Sequence, residues 1–147
     1  MLKNPPDGMP RISASVFYED PAAAIDWLTK AFGFGTRLTI PDKEGNIMHA
    51  ELTSADGMFM LGPTTWADWP KSPKAIGGAN TQSLYVYVSD VDAHCQRARA
   101  AGAKILTEPE DQFYGDRTYR VEDGEGHKWT FAQHVRDIPP EEMEIPE

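Results

Sequence analysis

The chain repeats itself. Residues 16–24, VFYEDPAAA, align with residues 86–94, VYVSDVDAH, at an offset of 70, so that Asp20 matches Asp90 and Ala23 matches Ala93. Self-similarity at a fixed offset ties both copies to one element order. Each copy opens with an apolar-rich strand, then Asp, then a helical pattern. Ala23, Ile25, Trp27, Leu28 and Ala31 give the first helix an apolar face, and Val91, Cys95, Ala98 and Ala101 give the second a weaker one. Asp20 and Asp90 stand where a short carboxylate caps orphan backbone N–H groups. The helices end alike, in KAFGF (residues 30–34) and RAAGAK (99–104), with Gly33 and Gly102 as stopping residues.

Three strand-like runs follow each helix. They are TRLTI (36–40), NIMHAEL (46–52) and GMFMLG (57–62), then KILTEP (104–109), RTYRVED (117–123) and HKWTFAQ (127–133). PDKEGN, SADG and DGEG supply turns between them. The reading is α+β: two βαβββ modules, residues 11–62 and 81–134, whose curled mixed sheets form a cup. A Pro/Gly-rich connector (63–80) joins them. At 147 residues the chain is long enough for one domain, placed at 10–136, with an acidic Pro-rich tail over 137–147.

A net charge of -9 argues against a nucleic-acid backbone or an anionic membrane as partner. A neutral or cationic small organic ligand fits better. Cys95 is the only cysteine, which leaves no intrachain disulfide and no thiolate cluster. The opening MLKNPPDGMP has no apolar signal core, so a cytoplasmic location is the expectation.

The duplicated plan, together with VEDGEGHKWTF (121–131) and the Asp-then-helix joins at Asp20 and Asp90, resembles the vicinal oxygen chelate superfamily of glyoxalase I, bleomycin-resistance proteins and extradiol dioxygenases. That resemblance implies a cup holding the ligand, and in the enzymes a divalent metal held by His, Glu or Gln from the first and fourth strands of each module. Counted from the motifs, those positions fall here on Ser13, Ser83, Thr130 and Leu61, give or take one residue for the last. None supplies an anionic or imidazole donor, and no acid or imidazole lies between Met58 and Ala67. The expectation is therefore no metal and no other cofactor. The resemblance also implies a homodimer, which would complete the cups and cover sheet edges.

Strand alternation assigns the lining. Ser13, Ser15 and Phe17 point into the cup, as do Ser83, Tyr85 and Tyr87, and Lys128, Thr130 and Ala132. Tyr114 belongs with this lining. Arg117 and Arg120 lie on opposite faces of one strand; one of them, facing the cup, could hold a carboxylate, phosphate or carbonyl in a forked contact, the alternative being a surface arginine paired with Asp116 or Glu122. His49 and Glu51 share a strand face, as a structural pair, a substrate-contacting pair or a displaced metal site. His127 reads as a solvent-facing turn residue, Asp123 and Glu125 as turn chemistry, and His134 as peripheral. Trp66 and Trp69 read either as an aromatic lid over the cup or as a clasp on an edge.

Three functions remain open. The first is a metal-free binder of the bleomycin-resistance kind, with Ser15, Phe17, Ser83, Tyr85, Tyr87, Tyr114, Arg120 and Thr130 in contact with the ligand. The second is a lyase, isomerase or hydrolase with His49 as base, Glu51 orienting it, and Arg117 or Arg120 at an oxyanion. The third is an interaction module carried by the connector tryptophans.

Overall fold

In the computed structural model, which describes all 147 residues, each copy folds in the order its sequence predicts. The first is β1 (Ala14–Tyr18), α1 (Pro21–Phe32), β2 (Gly35–Pro41), β3 (Ile47–Ser54) and β4 (Gly57–Pro63); the second is β5 (Leu84–Tyr87), α2 (Val91–Ala100), β6 (Lys104–Asp111), β7 (Asp116–Glu122) and β8 (Lys128–His134). Each module makes a four-stranded mixed sheet, ordered β1-β4-β3-β2 and β5-β8-β7-β6. The first strand of each runs parallel to the last, and the other pairs are antiparallel. No helix is long and apolar enough to cross a membrane.

The helices start and stop for the expected reasons. Asp20 accepts from the Ala23 N–H at 3.2 Å and Asp90 from the Ala93 N–H at 3.1 Å. Gly33 then leaves α1 at φ 75°, a left-handed conformation that glycine adopts without strain. Both helices pack on one face of their sheets, where Val16, Leu28, Leu52, Leu61, Val91, Ala98, Val121 and Phe131 are buried. The two halves share one cluster of 18 buried residues. Phe32, Phe34, Phe59, Trp129 and Phe131 join it, with ring centroids 4.8 to 6.2 Å apart.

Polar contacts staple the modules at two places. At the helix ends, the Trp27 indole donates to the Ala101 carbonyl at 2.9 Å, while Arg97 donates to the Lys30 and Thr29 carbonyls. Each helix thus satisfies the other's orphan C-terminal carbonyls, and the guanidinium sits at a negative helix end. His94 adds a bond to the Phe32 carbonyl at 2.8 Å and one to the Tyr119 hydroxyl at 2.6 Å. Burial depresses its pKa, so the neutral ring donates through Nε2 and accepts at Nδ1.

The second staple is the β7–β8 turn. Glu125, only 7% exposed, accepts from the backbone N–H groups of Glu19 and Asp20 in the other module. Asp123 accepts from the Tyr18 hydroxyl at 2.6 Å and the Trp129 indole at 3.1 Å. The His127 ring donates to the Phe17 carbonyl at 2.7 Å. His127 is thus a half-buried cross-link and not a solvent-facing turn residue, because the hairpin docks on the β1–α1 join.

Candidate functional site

The sheet faces turned away from the helices form two half-cups. On β1, Val16 and Tyr18 are buried under α1, which sends Ser15 and Phe17 to the opposite face. On β5, Tyr85 and Tyr87 take that face at 45% and 58% exposure. The registers Ser15↔Met60↔Glu51 and Tyr85↔Thr130↔Arg120 carry the assignment across both sheets.

Half-cup one holds a relay built on a buried carboxylate. Glu51, 6% exposed, receives Arg37 Nη1 at 2.6 Å on one carboxylate oxygen and His49 Nε2 at 3.0 Å on the other. The hydrogen bond from His49 and the Arg37 guanidinium hold its pKa below the ordinary carboxylate value against the effect of burial. Arg37 reaches this face from a register irregularity in β2, between Thr36 and Leu38. Beside the relay lies a cavity of about 490 Å³ lined by Ser15, Phe17, His49, Met60, Trp66 and Trp69. The connector tryptophans stand on Phe17, with centroid distances of 6.1 and 5.5 Å, and on each other at 4.8 Å. A second cavity of about 260 Å³ shares Ser15, Phe17, Trp69 and Gln82 with the first and continues to Ser83 and Lys128 at the junction of the modules.

Half-cup two is organised around Asp116, 3% exposed, which accepts from the Tyr85 hydroxyl at 2.6 Å, the Tyr87 hydroxyl at 2.7 Å and His134 Nδ1 at 2.8 Å. Burial pushes the Asp116 pKa up, but the bonds from Tyr85, His134 and Tyr87 outweigh it and leave the group below its ordinary value. Burial and the bond to Asp116 push the Tyr85 phenol well up. His134 also meets Asp137 at 2.6 Å, and the two carboxylates raise its pKa. Tyr114 joins through the Tyr85 hydroxyl at 3.3 Å. His134, read from sequence as peripheral, therefore helps fix the centre of this half-cup.

Two assignments need correction. Arg117 does not face the cup: it pairs with Asp92 of α2 and with Asp111, sharing the helix side with buried Tyr119 and Val121. It cannot meet an oxyanion beside His49, and the arginine that stands with the His49–Glu51 pair is Arg37, bound to Glu51. Arg120 is the cup-facing arginine of β7. Its side chain enters no hydrogen bond or ion pair, and its backbone N–H donates to the Thr107 hydroxyl at 3.1 Å. The fourth-strand position counted to Leu61 belongs instead to Met60, since Leu61 is buried beneath the helices.

The family model of the Glyoxalase/Bleomycin resistance protein/Dioxygenase superfamily matches residues 11–131. The chain belongs to this superfamily. An uncharacterised protein of Mycobacterium bovis is 35% identical over 138 residues, covering 92% of this chain and 90% of its own. The crystal structure of TioX from Micromonospora sp. ML1 is 38% identical and superposes with a TM-score of 0.69, covering 84% of this chain and 98% of its own. A glyoxalase/bleomycin resistance protein/dioxygenase from Nocardioides shares the fold at 16% identity, with a TM-score of 0.60 and coverage of 90% and 88%.

Within this superfamily, the metal positions implied by the motifs are Ser13, Met60, Ser83 and Thr130, a set of hydroxyls and one thioether that does not fit a hard or borderline divalent ion. Elsewhere in the chain, no group of three or more His, Cys, Asp or Glu lies close enough to hold one.

Proposed function

We propose that the chain binds a small planar aromatic molecule in the groove running from half-cup one to the junction of the modules. The observation that carries this reading is the aromatic trio at the wall of the larger cavity, half-buried Phe17 with exposed Trp66 and Trp69. The exposed faces and edges of the two tryptophans offer stacking and edge contacts to a flat ligand. Ser15 and Ser83 supply hydroxyls along the route, and Tyr85, Tyr87, Tyr114, Arg120 and Thr130 lie beyond it on half-cup two. The carboxylates Glu51 and Asp116 are already engaged by the protein's own donors, so ring character rather than positive charge selects the ligand. The reading calls for no metal or other cofactor, and the net charge of -9 disfavours nucleic acid and membrane partners.

A homodimer in the cytoplasm belongs to the same reading. Leu38, Ile40, Tyr85 and Tyr87 are 40 to 58% exposed on open sheet faces, which a second copy would cover. Titration with naphthalene-class compounds, followed by tryptophan fluorescence, tests the binding. Saturable quenching is expected, and Trp69→Ala should weaken affinity about tenfold through lost stacking. Absence of binding by any planar aromatic at millimolar concentration overturns the reading.

A further inference from the structure

Half-cup one offers a hydrogen-bond acceptor as well as an aromatic wall. Both oxygens of the Glu51 carboxylate are taken, one by Arg37 and one by His49 Nε2. An ionised carboxylate only accepts, so His49 Nε2 carries the hydrogen, and in the neutral ring Nδ1 is left with a lone pair. Nδ1 has no partner within the protein. The ring, with its side chain one-third exposed, lines the same cavity as Trp66, Trp69, Phe17 and Met60. An acceptor locked into one tautomer at an aromatic wall calls for a donor on the ligand. A protonated amine is a poor match, because the Glu51 carboxylate beside it is spent and the Arg37 guanidinium stands on its far side. A neutral, weakly acidic O–H attached to a flat ring is a good match.

We infer that half-cup one selects aromatic compounds bearing a phenolic or enolic hydroxyl, with His49 Nδ1 accepting the hydroxyl proton. This rests on the aromatic reading above and names the substrate class within it. The transfer balances without a further reactant: the ligand O–H bond gives up its proton to Nδ1, the electron pair stays on oxygen, and the imidazolium formed is held between the oxyanion and Glu51. Arg37 holds the Glu51 carboxylate in place. His49 is thus the one residue that would touch the reacting hydroxyl, and Glu51 and Arg37 are positioning residues. Any further step on the ring would begin from the oxyanion held there.

The test compares 4-nitrophenol with 4-nitroanisole, which has the same ring and no proton to give, by calorimetry and by absorbance at one pH. The phenol should bind at least tenfold more tightly, and the phenolate band should be enriched in the complex relative to free solution. His49→Phe should erase the preference, bringing the ratio of the two affinities to about one. Glu51→Gln, which keeps a polar partner for His49 and removes the charge, should narrow the preference several-fold and abolish the phenolate enrichment. Equal binding of the two probes to the unmodified protein overturns the inference and leaves aromatic binding standing. Equal loss of both probes in a folded His49→Phe variant also overturns it, because the ring would then serve only as packing. Failure of both probes to bind overturns the aromatic reading as well.

Discussion

At equivalent rungs, Ser15, Met60, Glu51 and Leu38 cross the first sheet, and Tyr85, Thr130, Arg120 and Thr107 cross the second. An acid in one half-cup thus stands where the other has a base, and a thioether where the other has a hydroxyl. The rung beside them, on the helix side, tells the opposite story: Ala14, Phe59 and Leu52 correspond to Leu84, Trp129 and Val121, all apolar. Positions under the helices must fill a shared core, whereas the cup face carries no such demand. The scaffold was duplicated together with its interior, and its two open faces took on separate chemistry. One holds a charge relay beside an aromatic cavity; the other holds phenols pinned to a buried carboxylate.

The comparison breaks most easily at the two carboxylates. Asp116→Ala should cost about 2–3 kcal/mol, because three donors lose one nearly buried acceptor. Glu51→Ala should cost about 1 kcal/mol, since Arg37 and His49 are exposed enough to turn to water. Denaturant midpoints of the two variants check this, and equal losses would mean that the half-cups are built alike after all.

A pH series sharpens the difference. Glu51 and Asp116 both have lowered pKa values, so each contributes stability that is present above its unfolded value and lost as pH falls through the folded one. His134 has a raised pKa, so its contribution is complete below the unfolded value of about 6.5 and is lost as pH rises through the folded one. Half-cup two therefore weakens on both sides. Melting temperatures of the unmodified protein and His134→Asn should converge above that range and separate at mildly acidic pH. A constant gap between them would remove the alkaline limb.

The smallest effect belongs to Arg120. With no side-chain partner to lose, Arg120→Gln should leave the unfolding midpoint within about 0.5 kcal/mol. A larger loss would show that this guanidinium is not free.

Much of this frame was legible from residue order alone, because it rests on short-range physics. Alternation placed Ser15, Phe17, Tyr85, Tyr87 and Thr130 on the open face, and the two Asp caps marked where helices begin. Alternation also separated Arg117 from Arg120. It left open which of them met the cup, although buried Tyr119 between them, two residues from Arg117, marks the helix side. Arg37 escaped notice because a bulge breaks the period of two that the reading depends on. The roles of Glu125, His127 and Asp116 were hidden for another reason. Their partners lie 106, 110 and 31 residues away in sequence, and a turn motif such as GEGH looks the same whether it faces water or another module.

The staples between the modules bear on how the protein can be taken apart. Helix ends cap each other across the core, and the last hairpin grips the first strand, so neither module alone has a satisfied surface. The connector, by contrast, turns at Gly77 and Gly78, where φ is 73° and 88° and an added Cβ would meet nothing within 4 Å. Cleavage there leaves every staple intact. The chain should then behave as a split protein: two fragments that are inert apart and reassemble when mixed, with recovery of the fold reporting on the seam between them.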